Sequence, residues 1–368
     1  MNTFRITYLI DATADEIEAR AEGVAIEQSV EVPLQAVRSP EIMRNSVGRV
    51  AAIREHAPGT FAVDIDFSVA ISGLEPAQFM NVLFGNTSLQ PTVQAWDMTL
   101  PPEMLATFGG PRFGMAGLRE LVNAPTRPLT ATALKPMGLS PAELGDLCAT
   151  LARGGIDIIK DDHGLANQAF SPFDARVRAC QDAVNRVHAE TGHCAIYVPN
   201  MAGTPSALFR QAEIVHELGV GAVMVSPMLV GLPVFHELVR DHLRVPVLAH
   251  PAFGGALRIA PELLLGKIFR LFGADAVIFP NYGGRFSYSQ ATCTQLADNM
   301  RGPWGELRPA IPSPAGGMKV DRVQEMIDFY GNDVMLLIGG SLLVADDIEA
   351  QARTFVENVH AAGGSGHE

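Results

Sequence analysis

Apolar and polar positions are organised in two different ways along this chain. Residues 3–11 and 61–70 alternate as half-buried strands do, and residues 93–100 read as a third strand. Residues 14–22 and Pro76–Phe84 carry helical spacing. This first part predicts an α+β domain, an open ferredoxin-like sheet covered by two helices.

From about Leu118 the pattern becomes regular. Short apolar runs at 129–135, 156–160, 195–198, 222–225, 246–249, 276–279, 309–312 and 334–338 each end in polar, Pro or Gly residues, mostly with a helical stretch after them. Continuous apolar runs of this length suit parallel strands buried on both faces. Eight strand–helix units predict a closed (β/α)8 barrel, a TIM barrel, with its site at the C-terminal rim. A doubly wound open sheet is the alternative, and the eight units favour the barrel. The expected organisation is an N-terminal domain at 1–117, a barrel at 118–360 and a flexible tail at 361–368, which holds three glycines.

The run 156–160 closes on Lys160-Asp161-Asp162-His163. Alternate residues of an extended chain share a face, so Lys160 and Asp162 point one way and Asp161 the other. An amine, a carboxylate and an adjacent imidazole then crowd one spot at a strand end. That grouping suits a hard divalent cation once the lysine is converted to an oxygen ligand. A solvated loop after a strand reads the same way in isolation, so the rest of the chain has to decide.

Composition narrows the partners. The chain has 368 residues, 48% of them hydrophobic, with a net charge of -13, which argues against nucleic acid and anionic membranes. No apolar run reaches the length of about 18 residues that a membrane span needs. The first residues, Met1 to Arg5, lack a signal-peptide pattern. Cys148, Cys180, Cys194 and Cys293 show no CxxC pairing, which points away from zinc and disulfides and toward reduced thiols in the cytoplasm.

Together these motifs resemble the RuBisCO large-chain family, and more closely its RuBisCO-like proteins, over nearly the whole chain. Gly154 to Asp162 resembles the family's metal strand, and Thr132-Ala133-Leu134-Lys135-Pro136 its first barrel strand. The resemblance implies that Lys160 reacts with carbon dioxide to give a carbamate (N6-carboxylysine) that binds magnesium with Asp162. The third ligand position falls on His163, where the family has glutamate. Lys135 is implied to handle protons at the substrate's enediol. Glu27 and Asn86 resemble N-domain residues that reach the neighbouring subunit's barrel mouth, which implies a homodimer with shared active sites. Gly316-Gly317 and Gly339-Gly340 fall where the family binds one phosphate, and glycines there let backbone N–H groups approach an anion.

The departures bear on the substrate. The family grips a second phosphate with an arginine after a strand-five histidine and with a histidine on strand six. Here Pro251 follows His250, and strand six offers Phe279-Pro280-Asn281. The mobile-loop lysine has no match, and Tyr282-Gly283-Gly284-Arg285 occupies its place, making Arg285 and Asn281 candidate substrate contacts. Met137 stands about where the family has another lysine. A neutral imidazole at 163 softens the metal site, so magnesium is expected, with manganese the alternative. The resemblance leaves carbamylated Lys160 or Lys135 as the base, with His163 or His250 as the assisting acid or base.

These changes imply a sugar monophosphate with an uncharged far end, and a reaction reduced to enolisation. Within the family the pattern looks most like the isomerase of 5-methylthioribulose 1-phosphate in methylthioadenosine salvage. The alternatives are a 2,3-diketo-5-methylthiopentyl-1-phosphate enolase, a decarboxylase of an oxo-sugar-acid phosphate, and a catalytically inactive scaffold.

Overall fold

The computed structural model describes residues 2–286 and 288–363, which form two compact units. The first comprises the chain up to Gly109 together with Gly254–Ile268 and Gly305–Leu307. Its centre is β1 (Thr3–Asp11), whose alternation buries Phe4, Ile6, Tyr8 and Ile10 on one face. With β2 (Arg49–Ala57), β3 (Thr60–Ser68) and β4 (Val93–Thr99) it forms an antiparallel sheet in the order β2-β3-β1-β4. The helices Ile17–Glu27 and Pro76–Phe84 bury apolar stripes in this unit. The second packs on β1, where the Tyr8 hydroxyl donates to the Leu83 carbonyl at 2.7 Å and the Phe4 and Phe79 rings lie 5.7 Å apart. β2 is missing from the apolar pattern because it is an edge strand and buries none of its residues.

The second unit carries the parallel strands β5 (Leu129–Leu134), β6 (Ile158–Asp161), β7 (Ile196–Val198), β8 (Asn200–Met201), β9 (Val223–Val225), β10 (Val247–Ala249), β11 (Ala276–Pro280), β12 (Ile311–Ala315) and β13 (Met335–Leu337). β7 and β8 are two pieces of one strand split at Pro199, so the barrel has its eight staves. Hydrogen bonds join them into two arcs, β13-β5-β6-β7 and β8-β9-β10-β11-β12.

Proline explains both interruptions, since it has no N–H to give a ladder. Pro199 stands at one. At the other, the Ile311 N–H donates to Asp275 at 2.9 Å and the Ala315 carbonyl accepts from Asn281 at 2.8 Å, so odd-numbered residues of β12 serve β11. The even-numbered positions, which turn toward β13, are Pro312 and Pro314.

Ala131, Ile158, Val198, Met224, Leu248, Ile278, Ile311 and Met335 fill the barrel, and Met115 and Leu118 of the helix Gly114–Leu121 join the same cluster. That helix spans the boundary expected between 117 and 118 and belongs with this unit, which begins at Gly110. The expected uninterrupted barrel segment is broken by the two stretches that group with the first unit. Ala361 to Gly363, expected in a frayed tail, complete the helix Ile348–Gly363, and residues 364–368 lie outside the described ones. Among the described residues no helix is long and apolar enough to cross a membrane.

Leu248 is fully buried in the barrel cluster. Leu248→Ala is expected to lower stability by about 2–5 kcal/mol, because the rigid staves cannot collapse into the void; urea unfolding followed by far-UV circular dichroism measures it.

Candidate active site

Register places the central groups. β5 and β6 pair with Ala133 opposite Lys160 and Leu134 opposite Asp161, so the next residues along, Lys135 and Asp162, meet at the adjoining strand ends. The Lys135 ammonium forms an ion pair with Asp162 Oδ2, and that buried oxygen has no other hydrogen-bond partner. Asp162 Oδ1 accepts the Gly164 N–H at 2.8 Å and lies 3.4 Å from His163 Nδ1.

Lys160 is 4% exposed, and its Nζ donates to the Asp161 carbonyl at 3.0 Å. Burial, aided by the charge of Lys135, lowers its pKa to about 7. Lys135 itself is held below the usual lysine range by burial and then by Arg285, despite its contact with Asp162. The neighbouring amine at 135 and the enclosure of 160 thus leave a substantial share of Lys160 uncharged near neutrality.

From across the mouth, the ring of His250, just past β10, stacks on His163 with centroids 4.2 Å apart and planes 12° from parallel. His250 Nδ1 accepts the Ala252 N–H at 3.1 Å, which puts the ring proton on Nε2. Burial, with Lys160, His163 and Lys135 all nearby, lowers its pKa to about 2, and the same surroundings lower that of His163. Both imidazoles are neutral at pH 7.

Asp161 faces the other way. Its side chain is completely buried and accepts from Arg176 Nε at 2.9 Å, the Tyr197 hydroxyl at 2.8 Å and the Asn200 N–H at 3.0 Å. Arg176 lies in the helix Phe173–Thr191 among several other charged residues, and its complete burial has no local signature.

The remaining expected residues fall into three groups. Asn86 Nδ2 donates to Glu27 at 3.0 Å and Glu31 at 3.1 Å in the first unit. Gln28, unremarked in the sequence, brings them together: its side chain donates to Asn81 and Val82 and accepts the Thr87 N–H. Gly316 and Gly317 adopt φ of 85° and 102°, and the loop before them packs on them, with the Arg285 N–H donating to the Gly316 carbonyl at 2.8 Å. Close packing therefore already requires those glycines. Gly339 and Gly340 instead border open space.

Asn281 departs from its expected substrate contact. Its amide donates to the sulfurs of Met318 and Met326, its Oδ1 accepts the Tyr330 hydroxyl at 2.6 Å, and it is 1% exposed. Arg285 is exposed beside Phe286, with its guanidinium carbon 5.7 Å from the ring centre.

The donor set suits a divalent cation. Among the described residues no three His, Cys, Asp or Glu side chains gather as a ready-made cage, so Asp162 and His163 need a third ligand. A carbamate on Lys160 would supply hard oxygens beside them, and the Asp162 carboxylate, paired with the Lys135 ammonium through Oδ2, is already in place.

A family model for the ribulose bisphosphate carboxylase large chain, catalytic domain, matches residues 114–350. A ribulose bisphosphate carboxylase-like protein of Rhodopseudomonas palustris is 50% identical over 359 residues, covering 97% of this chain and 98% of the relative. The 5-methylthioribulose-1-phosphate isomerase of Rhodospirillum rubrum is 47% identical over 98% of this chain and 97% of its own. A crystal structure of a Rubisco-like protein from Rhodopseudomonas palustris superimposes with a TM-score of 0.93 at 48% identity, covering 100% of this chain and 99% of that one.

With a pKa of about 7 at Lys160, the free amine is the minority form at pH 6 and the majority form at pH 8. Free amine rises about tenfold over that interval and each carbamate formed releases a further proton, so carbamate from labelled carbon dioxide, followed by 13C NMR at fixed dissolved gas, is expected to rise by more than about tenfold until the site saturates. Lys160→Arg is expected to abolish the signal.

Proposed function

The chain belongs to the RuBisCO large-chain family, among its RuBisCO-like members, and from that premise we propose that it isomerises 5-methylthioribulose 1-phosphate by enolisation. The observation that carries the reading is the cluster of Lys160, Asp162, Lys135, His163 and His250 at one barrel mouth. A buried amine, one carboxylate and two neutral imidazoles suit proton movement at a carbon beside a carbonyl. The Rhodospirillum rubrum relative bears that activity in its name, which supports the substrate choice.

In this reading magnesium, held by a carbamate on Lys160 with Asp162 and His163, supplies Lewis-acid polarisation of the substrate carbonyl. Lys135 takes the proton from C3. Its amine is partly exposed and shifted toward neutrality, as a base at a carbon acid needs. His250, with its proton on Nε2, donates to the developing oxyanion, and being neutral it can do so without first losing a charge. Protonation at C2, with the C3 hydroxyl giving up its proton and the C2 oxygen gaining one, moves the carbonyl to C3 and completes the isomerisation.

Substrate phosphate is assigned to Gly339 and Gly340, whose backbone borders open space, together with Gly316 and Gly317. The uncharged far end fits a rim where Met137 and Phe253 are 55% and 63% exposed, and where Pro251 follows His250. A homodimer with shared sites, to which Glu27 and Asn86 contribute, belongs to the same reading. So does a cytoplasmic setting, which suits the four free cysteines.

Incubation with magnesium, bicarbonate and 5-methylthioribulose 1-phosphate in D2O, followed by proton NMR, tests the assignment. New ketose signals with deuterium in the sugar are expected. Metal-loaded protein that leaves the substrate unchanged and exchanges no proton would sink it and redirect the search to carboxylated sugar phosphates. Lys135→Met is expected to lower kcat by about 10²–10⁴ with the far-UV circular dichroism spectrum intact.

A further inference from the structure

We propose that Arg176 is a positioning residue which, with Asp161 and Asn200, locks the segment 162–171 and so holds Asp162 and His163 in place. The consequence at the site rests on the function proposed above; the bracket itself stands on geometry alone.

Arg176 and Asp161 form an ion pair whose side chains are both 0% exposed. The guanidinium satisfies three partners in its plane: Nε donates to Asp161 Oδ2, one Nη to the Ser171 carbonyl and the other to the Ala166 carbonyl, each at 2.9 Å. Asn200 completes the arrangement from β8, its Nδ2 donating to the carbonyls of His163 at 3.1 Å and Leu165 at 2.7 Å. Within the segment, Gln168 donates to the Gly164 carbonyl at 2.7 Å and accepts the Ala166 N–H at 2.8 Å. Side chains therefore hold the carbonyls of residues 163, 164, 165, 166 and 171.

A buried ion pair is a poor device for stability alone, because apolar residues of similar size do as well. What it provides here is direction. A planar fork fixes three acceptors at set angles, which an ammonium cannot reproduce. The acceptors belong to the helix-side carboxylate of β6 and to the loop that begins at Asp162, so the bracket ties the two residues that flank Asp161 to the helix behind them. Groups that act on substrate need such support to hold their geometry.

Asn200→Ala removes two donors without touching the buried pair, and Arg176→Lys keeps the charge while losing the fork. Both are compared with wild type by far-UV circular dichroism, backbone hydrogen exchange, Mn2+ titration in bicarbonate, and kcat and KM. Amides of 164–171 are expected to exchange at least about tenfold faster in Asn200→Ala while those of β9 and β10 keep their wild-type rates. Mn2+ affinity is expected to fall about 10–100-fold, and kcat to fall with KM nearly constant. Unchanged exchange in the segment overturns the bracket. Faster exchange with wild-type Mn2+ affinity and kcat overturns its role at the site. Wild-type protein that binds no Mn2+ in bicarbonate counts instead against the proposed function, and exchange still decides the bracket.

Discussion

A strand turns successive side chains to opposite faces, and at the end of β6 this alternation divides three ionisable residues between two environments. Lys160 and Asp162 go to the barrel mouth. Asp161 goes to the layer between strand and helix, where Arg176, Tyr197 and Asn200 meet it. Had the register slipped by one residue, an unpaired carboxylate would enter the mouth and the amine would be buried against the helix. Pairing with β5 through Ala133 and Lys160 fixes the phase, and everything at the rim inherits it.

The electrostatics at that rim run against the character of the whole molecule. A chain of net charge -13 gathers two lysines and two histidines around one mouth carboxylate, Asp162. Burial, and after it the charge of the neighbouring basic groups, raises the cost of charging each of them, so the imidazoles stay neutral and Lys160 reaches a pKa of about 7. A lysine in that range is a nucleophile toward carbon dioxide as well as a proton carrier.

Much of this was legible in the sequence because it is periodic. The barrel strands announce themselves as apolar runs with polar ends, Lys160 and Asp162 follow from strand phase, and Lys135 from the family resemblance. Edge strand β2 was invisible because it buries nothing, and the C-terminal helix takes in Ala361 to Gly363, which had been expected in the tail. The roles of Arg176, Gln28 and Tyr197 could not be read because each depends on partners far away in sequence. Asn281 shows the converse: its place at a strand end suggested substrate, while two methionines and Tyr330 occupy its amide. Chain position gives a residue's address, and only packing tells which of its atoms are spoken for.

The prolines of the barrel have a mechanical meaning. The two hydrogen-bonded panels of the cylinder share one continuous stave, β7 and β8 joined through Pro199, and meet at a seam between β12 and β13 where Pro312 and Pro314 stand. Lys135, Lys160, Asp162 and His163 all ride on one panel, and His250 rides on the other. The stacked imidazoles are thus the bridge between panels within the cluster. Any slip along the seam is registered first in their overlap, while the amine and the carboxylate on the shared panel keep their spacing.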